Sequence, residues 1–149
     1  MKLCIVSSSG GHLFKTILLK PWWKNYQRFW VVKSDDMSID LLKNEIKYYG
    51  YFPENRNLLN FVKNFFLAVK ILNKEKPDIL FSTGAGIAPP FFFVAKVMGI
   101  KTIFLETFIF IHQPTLSGKI IYYLADYFLI QHQQLKKYYP QAKYIGKLI

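Results

Sequence analysis

Residues 2–20 read KLCIVSSSGGHLFKTILLK, which is an apolar run, a loop of small residues and then a segment of helical period. The run at residues 2–6 has the length and the apolar content of a buried strand. The small residues at 7–11 suit a tight turn, and the helix expected from His12 ends at Lys20 because Pro21 follows. This strand, turn and helix form the first part of a βαβ unit and predict an α/β fold.

Beyond this unit, short β-rich runs alternate with longer segments of helical period along the chain. That alternation predicts a Rossmann-like, doubly wound and mostly parallel sheet in a single domain over residues 1–149. Strands are expected at residues 2–6, 28–33, 46–51, 78–82, 102–105, 127–130 and 143–145. Helices are expected at residues 12–20, 39–45, 58–75, 89–98, 116–125 and 133–138.

The composition fits one globular domain and excludes a disordered chain. Of the 149 residues, 52% are hydrophobic and 18% are aromatic, far more apolar side chain than disordered segments carry. The single cysteine, Cys4, forms no internal disulfide, and with three histidines it supplies no closed structural zinc site. These counts fit a reducing, cytosolic setting.

The charge balance indicates an anionic partner. With 20 basic and 9 acidic residues the net charge is +11, which attracts polyanions or anionic lipid head groups. A nucleic-acid-binding module is the less favoured of these two interpretations. The apolar run before Ser7 is too short for a signal peptide, and no window offers the ~18 uninterrupted apolar residues of a spanning helix. Membrane attachment is therefore expected to be peripheral.

Two apolar clusters each have two interpretations. The helix expected at 58–75 carries apolar residues at the 4,3,4,3 spacing of one buried stripe: Leu58, Val62, Phe65, Val69 and Leu72. Core packing is favoured for this helix over a membrane or partner surface. The aromatic and basic cluster at residues 20–30 suits either a lipid interface or the core.

A glycine loop with His12 at its end follows the first expected strand. Glycines there permit close backbone approach, and the N–H groups of the helix start attract phosphate or diphosphate. His12 would bind a phosphate oxygen or move a proton, unless it is simply the capping residue of a tight turn. Asp35 lies at a plausible distance to hold a ribose, but the G-x-G-x-x-G and G-x-x-x-x-G-K-[ST] patterns are absent. The loop therefore disfavours NAD and ATP.

A second glycine loop, at residues 82–90, follows the fourth expected strand. In a doubly wound sheet both glycine loops border the same crevice at the switch point. Glu106, directly after the fifth strand, should reach that edge either as a solvated strand end or as a polar group aimed into the crevice. The sequence contains no evident Ser-His-Asp set, paired-carboxylate motif or metal-ligand spacing, so the residues alone leave the reaction open.

Three stretches carry a family resemblance in their order and spacing: SGGH at 9–12, STGAGIAPPFF at 82–92 and TIFLET at 102–107. Shorter matches between residues 116 and 146 extend it over almost the whole chain. The sequence resembles the PssD-type bacterial exopolysaccharide proteins and their eukaryotic relative, the membrane-recruiting subunit of the dolichol-linked N-acetylglucosaminyltransferase. It is more distantly similar to the N-terminal half of the peptidoglycan lipid-intermediate glycosyltransferase.

The resemblance implies the acceptor-side half of a GT-B glycosyltransferase, with the sugar-nucleotide domain absent here and supplied by a separate PssE-like catalytic subunit. It implies an accessory, membrane-recruiting subunit that is inactive alone. The reaction would transfer sugar from a UDP-sugar to a polyprenyl-diphosphate-linked acceptor in exopolysaccharide or capsule biosynthesis. The chain would sit peripherally on the cytoplasmic face of the plasma membrane, against an anionic surface, with no nucleic acid partner, metal or cofactor expected.

The resemblance also assigns residues to roles. His12 and Glu106 are the candidate catalytic residues. The candidate residues for binding the acceptor or its diphosphate are Ser9, Gly10, Gly11, Thr83, Gly84 and Gly86. An alternative, in which this chain itself supplies the catalytic base, stays open. The sequence departs from many relatives in lacking an N-terminal membrane helix, a basic residue at 108–111 and an aromatic at His132.

Overall fold

The computed structural model describes residues 1–106 and 113–148. Thr107 and the run at 108–111, which were used in the comparison of motifs above, lie outside the described residues, as does the final residue. In chain order the elements are β1 (Lys2–Val6), α1 (Gly11–Leu18), α2 (Lys20–Trp23), β2 (Gln27–Val32), α3 (Asp36–Leu41), β3 (Lys47–Tyr49), α4 (Leu58–Glu75), β4 (Ile79–Ser82), α5 (Ala88–Val97), β5 (Lys101–Leu105), α6 (Leu116–Tyr122), β6 (Tyr127–Ile130), a 3-10 helix (Gln133–Lys137) and β7 (Lys143–Tyr144).

The seven strands form one parallel sheet in the order β3-β2-β1-β4-β5-β6-β7. This confirms the predicted Rossmann-like, doubly wound fold. The strand order reverses between β1 and β4, where Val6 pairs with Val31 on one side and with Ser82 on the other. The loops that leave β1 and β4 therefore start side by side at the carboxyl edge of the sheet, where such folds form their crevice.

Helices cover both faces of the sheet, because alternate residues of each strand point to opposite sides. In β1, Leu3 and Ile5 pack with Leu13 of α1 and Trp23 of α2. Cys4 and Val6 face the other way, into a cluster with buried residues of α4, α5 and α6, among them Leu72, Phe91 and Ile121. The sheet is therefore the middle of three layers.

Several helix boundaries differ from the predictions, and two of the differences have a local cause. The helix after β1 ends at Leu18, and Pro21 lies in the first turn of the separate helix α2 rather than stopping α1 directly. Proline suits that position because the first turn needs no N–H donor. Helix α3 starts three residues before the predicted Ile39, because the Asp35 carboxylate accepts a hydrogen bond from the Ser38 N–H at 3.0 Å.

The predicted buried stripe of α4 is wrong in the first half of the helix. Leu58 and Val62 are 78% and 44% exposed, whereas Leu72 is fully buried. The inward positions are Asn60, Asn64, Ala68, Ile71 and Leu72.

Two asparagines replace apolar residues on that inward face because they bind the loop before the helix. The Asn64 side chain accepts from the Tyr51 N–H and donates to the Tyr51 carbonyl, both at 2.9 Å. Asn60 donates to the Pro53 carbonyl at 2.9 Å. Buried backbone groups need such partners, and a pattern of apolar residues does not reveal them. The apolar side chains of the first two turns consequently face outward.

The aromatic and basic cluster at residues 20–30 belongs mostly to the core. Trp23, Phe29 and Trp30 are at most 2% exposed, and only Trp22 of the tryptophans reaches the surface, at 37%. The ring of Trp30 donates to Glu45 at 3.1 Å. Among the described helices, none has the length and apolar content needed to span a bilayer.

Candidate functional site

A crevice of about 800 Å³ opens at the carboxyl edge of the sheet, where the strand order reverses. Its wall includes the loop before α4, at residues 54–57, the first residue of α4, and the loop after β4, at residues 84–86. The segment at 113–117, which leads into α6, lines the opposite side. His12 and Glu106 both line this crevice, so the structure brings the two candidate catalytic residues to one cavity.

The imidazole of His12 is fixed by the neighbouring glycine loop. Its Nδ1 lies 3.0 Å from the Thr83 carbonyl oxygen, which only accepts, so Nδ1 carries the proton and donates. Nε2 is then the nitrogen left to bind a ligand or accept a proton. Burial is the main reason why the pKa of His12 lies below its ordinary 6.5; the Thr83 contact opposes the shift and the charge of Lys15 adds to it. His12 is therefore neutral near pH 7.

Thr83 joins the two glycine loops rather than lining the crevice. Its hydroxyl lies 3.0 Å from the His12 carbonyl oxygen and 3.0 Å from the Thr16 hydroxyl, and the residue is 2% exposed. Next to it, Gly84 has a φ of 121°, and a Cβ there would come within 2.8 Å of His12 Cε1. Only glycine fits at this position.

The first glycine loop forms the start of α1. Gly10, with a φ of 72°, precedes the helix, and no side chain caps the helix start. Gly11 is the first helical residue, and nothing lies within 4 Å of a Cβ built on it. Ser9 is placed beside Asp35: burial raises the pKa of Asp35, but hydrogen bonds from Ser9 and Ser38 bring it below its ordinary value. Asp35, considered above as a ribose ligand, instead caps α3.

Gly86 permits close packing between two walls of the crevice. A Cβ on Gly86 would lie 2.8 Å from Glu54 Cγ and 2.9 Å from the Glu54 carbonyl oxygen. The loop after β4 and the loop before α4 are thus held against each other. Of the eight candidate site residues, His12, Gly84, Gly86 and Glu106 line the crevice, while the other four support the loops around it.

Glu106 ties the end of β5 to the start of α6. Its carboxylate is 1% exposed and accepts from the Thr115 hydroxyl at 3.2 and 3.1 Å and from the Tyr139 hydroxyl at 2.9 Å. The Thr115 hydroxyl in turn accepts from the Gly118 N–H at 2.9 Å and caps α6. Burial, followed by the charge and hydrogen bond of Glu106, raises the pKa of Tyr139. Glu106 is a buried anchor on the crevice wall, not a solvated strand end.

The model of a family described as "Oligosaccharide biosynthesis protein Alg14 like" matches residues 3–148. The chain belongs to this family. The human UDP-N-acetylglucosamine transferase subunit ALG14 is 23% identical over 180 residues, covering 100% of this chain and 83% of the relative. The match is nearly full-length for both proteins.

Two further comparisons connect this Alg14-family chain with longer proteins. The UDP-N-acetylglucosamine--N-acetylmuramyl-(pentapeptide) pyrophosphoryl-undecaprenol N-acetylglucosamine transferase of Staphylococcus aureus (strain JH9) is 26% identical, covering 93% of this chain and 43% of that protein. The crystal structure of Acinetobacter baumannii MurG superposes with a TM-score of 0.77 at 17% identity, covering 98% of this chain and 45% of that one. The chain therefore spans less than half the length of these two proteins, and the second likeness shows the shared fold.

Sequence reasoning missed two features of this Alg14-family chain: a buried lysine whose charge acts on His12 and Glu106, and one loop of the crevice wall. Lys15 is only 7% exposed; burial lowers its pKa and the charge of Glu106 opposes that shift. Its position three residues after His12, on the same helix face, was the available signal. The loop at 54–57 was missed because nothing in its composition marks it, although every loop after a parallel strand reaches the same edge.

Metal-binding geometry is not found in the described parts of the chain. Across residues 1–106 and 113–148, no three side chains of His, Cys, Asp or Glu are grouped so that they could hold a metal ion.

Proposed function

We propose that this chain is the accessory, membrane-recruiting subunit of a two-component glycosyltransferase. The transferase moves sugar from a UDP-sugar donor to a polyprenyl-diphosphate-linked acceptor. The observation that carries the proposal is the crevice, which presents His12 and the start of α1 at the edge of the sheet. A relative that matches the whole chain, the human protein, is named a transferase subunit. We propose exopolysaccharide or capsule biosynthesis as the context of this reaction, on the resemblance to PssD-type proteins.

In this proposal the crevice is the acceptor side of the reaction. The loop of Ser9, Gly10 and Gly11 and the second loop of Thr83, Gly84 and Gly86 shape the place of the acceptor diphosphate, which the uncapped first turn of α1 attracts. His12 is neutral and keeps Nε2 available, so it is suited to accept the proton of the attacking hydroxyl. Glu106 accepts hydrogen bonds from Thr115 and Tyr139 and thereby fixes the part of the crevice wall that leads into α6.

The partner in this proposal is a PssE-like catalytic subunit that carries the UDP-sugar-binding domain. It would cover the open crevice and supply the contacts to the donor nucleotide. Support comes from the human relative, which is itself named a transferase subunit.

An apolar surface supports the membrane role. We call it the outer apolar surface; it consists of exposed side chains on three neighbouring helices: Leu58, Leu59, Phe61, Val62, Phe66, Phe93, Val97, Leu116 and Ile120. Exposed lysines lie on the same helices, among them Lys63, Lys70 and Lys119. Apolar side chains mixed with cations favour the surface of an anionic bilayer. We therefore place the chain peripherally on the cytoplasmic face of the plasma membrane.

Reconstitution tests the function. The purified chain, the purified catalytic partner and their mixture are each supplied with a UDP-sugar and a polyprenyl-diphosphate-linked acceptor. Only the mixture should transfer sugar, and His12→Ala should lower its kcat by about 100-fold or more, as when a general base is removed. His132→Ala, which alters a histidine outside the crevice lining, is the control.

Complex formation is measured by size-exclusion chromatography in the same samples. Full transfer by either component alone contradicts the two-component proposal. A His12→Ala mixture that assembles and keeps its turnover contradicts the role of His12 while leaving the subunit proposal intact.

A further inference from the structure

Arg56 presents a guanidinium at the crevice that has no partner among the described residues. The sequence has two arginines, and the other one, Arg28, is held by Glu45 at 2.6 Å and lies over the ring of Trp23. Arg56 lines the crevice and makes no side-chain hydrogen bond or ion pair with any residue in the described ranges. It is therefore an arginine exposed in the cavity with its five N–H donors available to a ligand.

The backbone on both sides of Arg56 is anchored. Before it, the Pro53 carbonyl accepts from Asn60 at 2.9 Å; after it, the side chain of Asn57 accepts from the Asn60 N–H at 2.9 Å and caps α4. Arg56 itself has a φ of 51°, which is uncommon for a residue other than glycine. The guanidinium thus extends from a fixed part of the wall.

The two described acidic residues of the crevice, Glu54 and Glu106, form no ion pair with Arg56. Glu106 is buried and bound to the hydroxyls of Thr115 and Tyr139. Glu54 lies against Gly86, and the structure shows no ion pair between it and Arg56. A ligand anion is the chemistry that complements such a cation, and a planar guanidinium binds phosphate oxygens two at a time.

Apolar side chains line the same crevice as Arg56. Leu58 and Phe61, on the first turns of α4, line the same crevice and are 78% and 38% exposed. Leu116 and Ile120 line the opposite side and are 69% and 42% exposed. A cation next to an apolar rim fits a phosphate group that carries a hydrocarbon chain better than it fits a nucleotide.

We propose that Arg56 binds the diphosphate of the lipid-linked acceptor, while the rim of Leu58, Phe61, Leu116 and Ile120 covers the first part of its hydrocarbon tail. This inference rests on the proposed function and adds to it the residue that holds the acceptor's charged group. The donor nucleotide also contains a diphosphate, but it has no apolar tail. The apolar rim can therefore contact the acceptor's tail and has no matching part in the donor.

Direct binding to the purified chain tests the site without the partner. Calorimetry compares a short, water-soluble prenyl diphosphate with inorganic pyrophosphate, using Arg56→Gln and the control Lys43→Gln. Lys43 is an exposed lysine just after α3, outside both the crevice lining and the outer apolar surface, so its change removes the same charge elsewhere. Arg56→Gln should weaken binding of the prenyl diphosphate by about tenfold or more, whereas Lys43→Gln should change it by less than about twofold.

Two further results belong to the same comparison. The prenyl diphosphate should bind the unaltered chain more tightly than pyrophosphate does, because the rim is apolar. Arg56→Lys should recover only part of the affinity, because lysine keeps the charge but lacks the paired N–H donors of the planar guanidinium. Equal binding by Arg56→Gln and Lys43→Gln, with the same thermal unfolding midpoint, overturns the proposal.

Steady-state kinetics of the reconstituted pair separate the two diphosphates. Arg56→Gln should raise the KM for the acceptor by about tenfold and leave the KM for the UDP-sugar within about twofold. A rise confined to the donor KM overturns the assignment to the acceptor. If the unaltered pair transfers no sugar, the proposed function fails, and the calorimetric comparison still decides whether Arg56 binds a prenyl diphosphate.

Discussion

At the scale of single residues, His12 shows how one contact sets the chemistry of a side chain. The Thr83 carbonyl fixes the proton on Nδ1, and burial keeps the ring neutral near pH 7. Thr83, which sets the tautomer, lies 71 positions away in the sequence. A histidine in an exposed turn would have neither the fixed tautomer nor the lowered pKa.

The lowered pKa of His12 predicts how stability changes with pH. A folded-state pKa below 6.5 means that the unfolded chain takes up the proton first as the pH falls. The free energy of unfolding should therefore be highest above pH 6.5 and decline below it, down to the folded-state pKa. Urea unfolding at several values between about pH 7.5 and pH 5.5 measures this decline, and His12→Gln should make it shallower.

The readout in that experiment is the slope with pH, because the substitution also removes the contact with Thr83 and lowers stability at every pH. The remaining histidines are unchanged in both proteins, so they contribute equally to the two slopes. Identical slopes for the two proteins would show that His12 has the same pKa folded and unfolded.

At the scale of elements, the start of α6 is packed more tightly than that of α1. A Cβ on Gly118 would overlap the Glu106 carboxylate and lie 2.7 Å from the Thr115 hydroxyl. Gly11, at the start of α1, has nothing within 4 Å of the same atom. The two helices therefore offer a matched pair of glycine substitutions.

Gly118→Ala should lower the free energy of unfolding by about 1 to 3 kcal/mol, because the added methyl group overpacks a buried polar cluster. Gly11→Ala should leave it unchanged or raise it by up to about 1 kcal/mol, since alanine favours the helix and restricts the unfolded chain. Urea unfolding at pH 7.5 compares both with the unaltered chain. Equal stability of the two variants would mean that the contacts of Glu106 at α6 relax without cost.

The elements were largely predictable, and their inward faces were less so. The strand at 2–6, the strand at 127–130 and the helix at 58–75 have the predicted bounds, since each has a clear apolar pattern and clear ends. The orientation of α4 was not predictable, because Asn60 and Asn64 face inward to bind the backbone of Tyr51 and Pro53. The periodicity of apolar residues indicates which positions are buried by apolar packing. It does not indicate where the backbone of a neighbouring loop requires a polar side chain as its hydrogen-bond partner.

At the scale of the whole molecule, the two helical layers expose different surfaces. The layer of α4, α5 and α6 carries the outer apolar surface next to the crevice, and the layer of α1 to α3 carries a second group of exposed apolar residues, including Phe14 and Leu18. A phenylalanine and a leucine can therefore be chosen from each layer for a matched test of membrane binding.

The double change Leu59→Ser and Phe66→Ser should weaken binding to phosphatidylglycerol-containing vesicles by about tenfold or more, because each side chain contributes roughly 1.5 to 3 kcal/mol when fully buried in lipid. Vesicle sedimentation at low and high salt measures the effect, and binding by the unaltered chain should weaken as salt increases. The control is Phe14→Ser with Leu18→Ser, which should bind like the unaltered chain. If the control loses as much binding as the α4 variant, the outer apolar surface is not the membrane contact.

The position of the site was predictable from the fold, whereas the roles of its individual residues were less predictable. Both glycine loops and Glu106 were expected at one edge, and His12, Gly84 and Glu106 line one crevice there. That Thr83 holds the backbone of α1, and that Arg56 faces the cavity, follows from contacts between segments far apart in the chain. No local pattern marks either role.

The sequence by itself determined the parallel doubly wound sheet, the glycine loops at its switch point and the net charge, because strand length, periodicity and turn residues are local properties of the chain. The tertiary structure decided which face of α4 is exposed, which nitrogen of His12 is available and where Arg56 stands. These depend on hydrogen bonds and packing across loops that meet only after folding. The physical reason is that burial and polar partners are properties of the space around a residue, and that space is built by other segments of the chain.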